Sequence, residues 1–139
     1  MKKAVLKDKT SEYFENLIIY AISSTETDLR ICMILNSVLG INLTLAEDCV
    51  ISVHDQNIRF RKYSFEAEEV EEKIQLFVNK NNGYYLFNEL KKIDYFLLIQ
   101  TEANIAGLEK ALQNLKNTPG ISVLSKLDPG SLRSLSKII

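Results

Sequence analysis

Two segments of this chain are apolar on both sides of the residue alternation that a strand would impose. Leu17-Ile18-Ile19-Tyr20-Ala21-Ile22 predicts a strand: it is short, rich in β-formers and ends at the polar break Ser23-Ser24-Thr25-Glu26. Ile93 to Gln100 predicts another. Between them, Leu29 to Leu39 predicts a helix, with Thr27 or Asp28 as N-cap and Gly40 just past its end. That helix is apolar almost all round, which predicts burial on more than one side.

The remaining segments are shorter. Val50 to Val53 reads as a strand followed by a turn, His54 to Asn57, and Ile58 to Phe65 as one strand with alternating basic and aromatic residues. Glu66 to Glu72 is an acidic connection. Lys73 to Asn79 is an amphipathic strand with Ile74, Leu76 and Val78 on one face, closed by the turn Asn81-Asn82-Gly83. Tyr84 to Leu90 fits either a strand or a loop. After Gln100, Thr101 or Glu102 caps a helix carrying Ile105, Leu108, Leu112 and Leu115, which stops at Asn117-Thr118-Pro119-Gly120. Ile121 to Leu127 is the last strand. The tail from Ser131 to Ile139 carries Leu132, Leu135 and Ile138 on a rough helical stripe.

This order predicts one α+β domain over residues 1–139: a two-layer sandwich with a mainly antiparallel sheet of 5–6 strands and two helices on one face. The arrangement expected is ferredoxin-like, a split βαβ with additions. Such a sheet has one wet face, and its strands should alternate. The two apolar strands, which this arrangement puts at the centre, do not. Tyr20, Phe96 and Leu98 are therefore expected on a helix-free face that needs a cover. The candidates are a second copy of the chain or another protein partner, its own segment 41–57 or tail 131–139, or an apolar ligand.

Composition narrows the function classes. The chain has 139 residues, 25% charged, with a formal net charge of −1, which argues against bulk nucleic acid or an anionic membrane as the main partner. Its start, Met1 to Lys9, has too short an apolar stretch for a secretory signal, and no run is long enough to span a bilayer. Two cysteines, Cys32 and Cys49, and one histidine, His54, supply neither a disulfide framework nor a typical metal site. A cytoplasmic protein with reduced thiols and no cofactor is expected.

Candidate chemistry is sparse. Glu89 and Asp94 form a carboxylate pair that would need one shared cleft to act as acid and base. Odd spacing in a strand sends Cys49 and His54 to opposite faces, against a local dyad. Arg59, Arg61, Lys62 and Tyr63 could bind phosphates and stack on a base, with Arg59, Arg61 and Tyr63 sharing one face of a strand; basic residues also protect edge strands. Asn36, on the face of Leu29, is expected to tie down a neighbouring loop.

Phe87-Asn88-Glu89-Leu90-Lys91-Lys92-Ile93-Asp94-Tyr95 resembles the signature of the IPExxxVDY family, small proteins of Bacteroidetes-type bacteria. Glu89, Asp94 and Tyr95 match, Phe87 and Ile93 are apolar replacements, and Asn88 stands where the motif has proline, returning an N–H donor. Ser23-Ser24, Leu29-Arg30-Ile31-Cys32, Leu35-Asn36, Pro119-Gly120-Ile121 and Asp128-Pro129 extend the resemblance. It implies a size and host group and brings no activity with it. The sequence leaves three readings: a non-enzymatic binding module, with a homodimer through the helix-free face as one form of it; an RNA-associated accessory protein; and a small enzyme using Glu89 and Asp94.

Overall fold

The computed structural model describes residues 17–102, 106–132, 135 and 138. β1 (Leu17–Ser24) leads into α1 (Asp28–Leu39), and five strands follow: β2 (Thr44–Leu45), β3 (Cys49–Val53), β4 (Gln56–Phe60), β5 (Lys62–Ala67) and β6 (Glu72–Val78). β7 (Lys80–Asn81) and β8 (Tyr84–Tyr85) make a small hairpin before β9 (Tyr95–Thr101), α2 (Ala106–Gln113) and β10 (Ile121–Leu127). The main sheet has six strands in the order β10-β1-β9-β6-β5-β2. Every neighbouring pair in it is antiparallel.

α1 forms where local chemistry starts and stops it. Thr27 accepts a hydrogen bond from the Arg30 N–H, and Gly40 adopts φ 66°, where a side chain would be strained. Asn36 Oδ1 accepts from the Leu43 N–H at 2.8 Å, so this residue does anchor the following loop.

The register sorts the doubly apolar strands. Ile19 lies opposite Leu98 and Ala21 opposite Phe96, while Tyr20 lies opposite Leu97. Tyr20 therefore belongs with Ile18 and Ile22 under the helices, against Ile31, Cys32 and Leu35 of α1 and Leu112 of α2. On the other face, Phe96 and Leu98 join Ile19 and Phe77 in a second cluster.

That second face is covered by the chain itself. β3 and β4 form a separate hairpin whose inner face, Ile51 and Phe60 with Ile58 and Val53 beside them, packs on it. Leu86 and Phe87 of the loop before β9 add to the cover, with the Phe87 ring stacked on Phe96 at 4.2 Å between centroids. Leu135, with Leu132 and Ile138, completes it. The expectation that Tyr20, Phe96 and Leu98 together form an interface on the helix-free face is thus corrected, and of the expected covers the one found is the chain's own segment and tail. Tyr20 points to the helices, and Phe96 and Leu98 are fully buried by both the inserted hairpin and the tail.

Other expectations are adjusted by the same cover. The strand expected over Ile58–Phe65 is two strands that part at Arg61, because β4 belongs to the covering hairpin and β5 to the main sheet. His54 and Asp55 both take positive φ (49° and 64°), the geometry of a tight two-residue hairpin turn. Tyr84–Leu90 is β8 followed by a turn of 3-10 helix, Asn88–Leu90. Asn79 steps out of β6. The cap expected at Thr101 or Glu102 rests partly on residues 103–105, outside the described residues.

Phe96→Ala would leave a cavity under the hairpin. The expected cost is about 3–5 kcal/mol in urea unfolding, whereas Leu29→Ala, on an exposed side of α1, should stay within about 0.5 kcal/mol. Similar losses at both positions would contradict the cover described.

Candidate functional site

The loop of residues 86–94 is organised by one buried side chain that its sequence does not advertise. Asn79 is fully buried; its Nδ2 donates to the carbonyls of Leu90 (3.0 Å) and Ile93 (2.8 Å), and its Oδ1 accepts from the Phe87 N–H (2.7 Å). Three polar groups that would be costly to bury unpaired are thereby satisfied. The only hint in the sequence is a polar residue at the end of an apolar strand.

Asp94 ties the end of this loop to β1. Its Oδ2 accepts from the Ser24 N–H and its Oδ1 from Lys80 Nζ, both at 2.9 Å, while its own N–H donates to the Ile22 carbonyl. Tyr95 donates its hydroxyl to the Glu26 carbonyl at 2.6 Å, and burial, helped by the charge of Asp28, pushes that phenol up to about 12. Ser24 Oγ in turn donates to the Gly120 carbonyl. Glu89 lies exposed on the 3-10 turn. The signature residues Asp94 and Tyr95 are thus tied into holding β1, β9 and the loop in place.

Beside these ties, at the sheet end where β1 finishes and β9 begins, lies a polar cleft of about 380 Å³. Its cations come from three places: Arg59 on β4, Arg61 between β4 and β5, and Lys80 on β7. Thr27 and Asp28 bring the first turn of α1 to it, and Asp48 and Asn81 contribute from the starts of β3 and the β7–β8 turn. Val78 and Tyr95 are its apolar lining. Neither Glu89 nor Asp94 is among the lining residues, so the expected carboxylate pair does not share this cleft.

Asp28 is the electrostatic hub. Its Oδ2 accepts from Tyr63 Oη at 2.7 Å and from Arg61 Nη1 at 2.9 Å. Burial alone would push its carboxyl up, but these two donors and the guanidinium charge outweigh burial and hold it below the usual carboxylate range. Tyr63, buried beneath, is pushed up to about 12, first by burial and then by its bond to Asp28. Asn81 Nδ2 donates to the Arg59 carbonyl at 2.6 Å and fixes the strand that carries that guanidinium.

The basic segment is therefore split. Arg59 and Arg61 meet in the cleft, but Lys62 lies over the Phe77 ring (5.8 Å) on the hairpin side of the sheet, and the Tyr63 ring is buried under α1 and unable to stack on a base. Lys80 and Asp48 complete the site without having been singled out in the sequence, together with Asp28, which the sequence offers only as a helix cap. Their convergence depends on strand pairing across long separations. The other candidates stay apart. Cys49 begins β3, half-buried, with its thiol pushed up by burial more than the Lys62 charge lowers it; His54 is exposed at the strand's far end. Cys32 is buried on the inner face of α1, and its thiol is pushed up to about 12 by that burial and by Asp28. Among the described residues no group of three or more His, Cys, Asp or Glu side chains could hold a metal ion, and no helix is long and apolar enough to cross a membrane.

Compared with known proteins, the chain matches no protein-family model and no curated protein.

Tyr63→Phe removes a donor from the Asp28 carboxylate and is expected to cost about 1.5–3 kcal/mol at neutral pH. A lowered carboxyl pKa adds stability that is complete above its unfolded value and is lost as pH falls through the folded one. The deficit measured by urea unfolding should therefore shrink as the pH is lowered through the folded-state value of this carboxyl. A deficit as large in acid as at neutrality would rule out the charge-assisted bond as its source.

Proposed function

We propose that this chain is a non-enzymatic binding module that holds the anionic group of a small polar ligand in the cleft at the N-terminal end of α1. The observation that carries the reading is the convergence of Arg59, Arg61 and Lys80, from separate segments, on one cleft of about 380 Å³. That volume suits a small molecule. The lining is too polar for the apolar ligand considered as a cover, and the covered sheet face leaves such a ligand no place.

The RNA-associated reading keeps Arg59 and Arg61 and loses the ring of Tyr63, so it retains phosphate contacts without a stacking platform. The small-enzyme reading loses its shared cleft, since both Asp94 oxygens are engaged in holding Ser24 and Lys80. A homodimer would have to use a surface other than Tyr20, Phe96 and Leu98; Leu29 and Met33, one turn apart on the outside of α1, are exposed. The strand order β10-β1-β9-β6, with a helix after β1 and after β9, supports a split βαβ, ferredoxin-like frame into which β2 to β5 are inserted. Membership of the IPExxxVDY family and a cytoplasmic location belong to the same proposal. They rest on the signature residues and on the reduced-thiol composition.

Nuclear magnetic resonance titration of the whole chain with acetate and with inorganic phosphate tests the site. Amide shifts are expected at Thr27, Asp28, Lys80 and Asn81, with millimolar affinity, and Arg59→Glu should weaken them at least ~10-fold. Shifts scattered over the surface, or unchanged in the variant, would remove the cleft as the site.

A further inference from the structure

The charges of the cleft are unequally engaged. Arg61 is neutralised by Asp28 and Lys80 by Asp94, each at 2.9 Å. Among the described residues, Arg59 and Asp48 are the lining charges with no ion pair, to each other or to any third group. Both are exposed, and both come from the covering hairpin: Asp48 immediately precedes β3, and Arg59 lies on β4 opposite Val50. The hairpin's apolar inner face and the Asn81 bond to the Arg59 carbonyl fix the backbone that carries them. One guanidinium and one carboxylate therefore stand open on a single rigid element beside a small cleft.

A simple anion satisfies Arg59 and is repelled by Asp48. A simple amine meets the reverse. A molecule carrying both groups satisfies both, and each contact at such an exposed site contributes about 1 kcal/mol or less. A volume of about 380 Å³ accommodates an amino acid or a dipeptide, with Val78 available to a short aliphatic side chain. Double-stranded or single-stranded nucleic acid, by contrast, offers a row of phosphates and no ammonium for Asp48.

We propose that the cleft takes a dipolar amino compound, a free amino acid or short peptide, with its carboxylate on Arg59 and its ammonium on Asp48. This rests on the cleft being the binding site. The paired charges, Arg61 with Asp28 and Lys80 with Asp94, then act as walls of fixed polarity that leave the ligand's two ends distinguishable.

Dialanine and N-propionylalanine are the probes: they share the amide and the alanine carboxylate, and N-propionylalanine has a hydrogen where dialanine has its ammonium. Titration of the whole chain, followed by amide shifts at Thr27, Lys80 and Asn81, should give dialanine ~2–5-fold tighter binding than N-propionylalanine. Asp48→Asn should abolish that preference while leaving N-propionylalanine binding as tight or tighter, and Arg59→Gln should weaken both. Both substitutions are at exposed positions, and unchanged circular dichroism confirms that each variant is folded. Equal affinities in the native chain, or a preference that survives Asp48→Asn, would overturn the dipolar ligand while the anion site stands. If acetate, phosphate and both probes all leave the cleft unshifted, the anion site itself falls, and this inference with it.

Discussion

The two innermost strands of this protein are apolar on both faces, and most of the architecture answers that single demand. Water cannot be allowed on either side of β1 or β9. Burying one side chain the size of Phe96 or Leu98 is worth about 1.5–3 kcal/mol, so an uncovered face would forfeit a large part of a marginal stability. The helices α1 and α2 close one side. The other is closed by pieces outside the six-stranded sheet: the β3–β4 hairpin, the loop through Phe87, and the side chains of Leu132, Leu135 and Ile138.

The cover has a second effect. To reach across the sheet, the hairpin is strung between α1 and the outer strands, and its ends emerge where β1 stops and β9 starts. Asp48 and Arg59 are carried there with it, beside Asp28 at the head of α1 and Lys80 on the neighbouring hairpin. A packing requirement thus assembles a polar cleft from residues that are distant along the chain. The signature residues Asp94 and Tyr95 stand behind it as ties, holding Ser24, Lys80 and the Glu26 carbonyl and so keeping the cleft's rear wall in register.

Periodicity reached as far as the elements whose partners are local. α1 was legible from its cap, its apolar run and Gly40, and the strands β1, β6, β9 and β10 from short apolar runs bounded by turns. The need for a cover was legible too, because Ile19 and Tyr20 cannot both be wet. What covers it was not. Ile58 to Phe65 reads as one strand because nothing in Arg61 announces that the chain leaves one sheet for another there. Tyr20 lies on the opposite face from the one expected because alternation fixes which residues go together within a strand, not which set meets the helices. Register with β9 decides that, through Ala21 opposite Phe96. Asn79 was missed for a related reason: its three bonds run to residues in a loop whose path the sequence does not give.

The order of strands in the sheet also sets a timetable for synthesis. β1 emerges from the ribosome well before its sheet neighbours: β10 lies roughly a hundred residues downstream and β9 roughly seventy. Until they arrive, a nascent strand that is greasy front and back has no sheet to enter, and its open edges invite pairing with other chains. The early helix and the β3–β4 hairpin, both made of local contacts, are the elements able to form meanwhile and shield it. The insertion that seals the finished protein is thus also placed to chaperone the unfinished one.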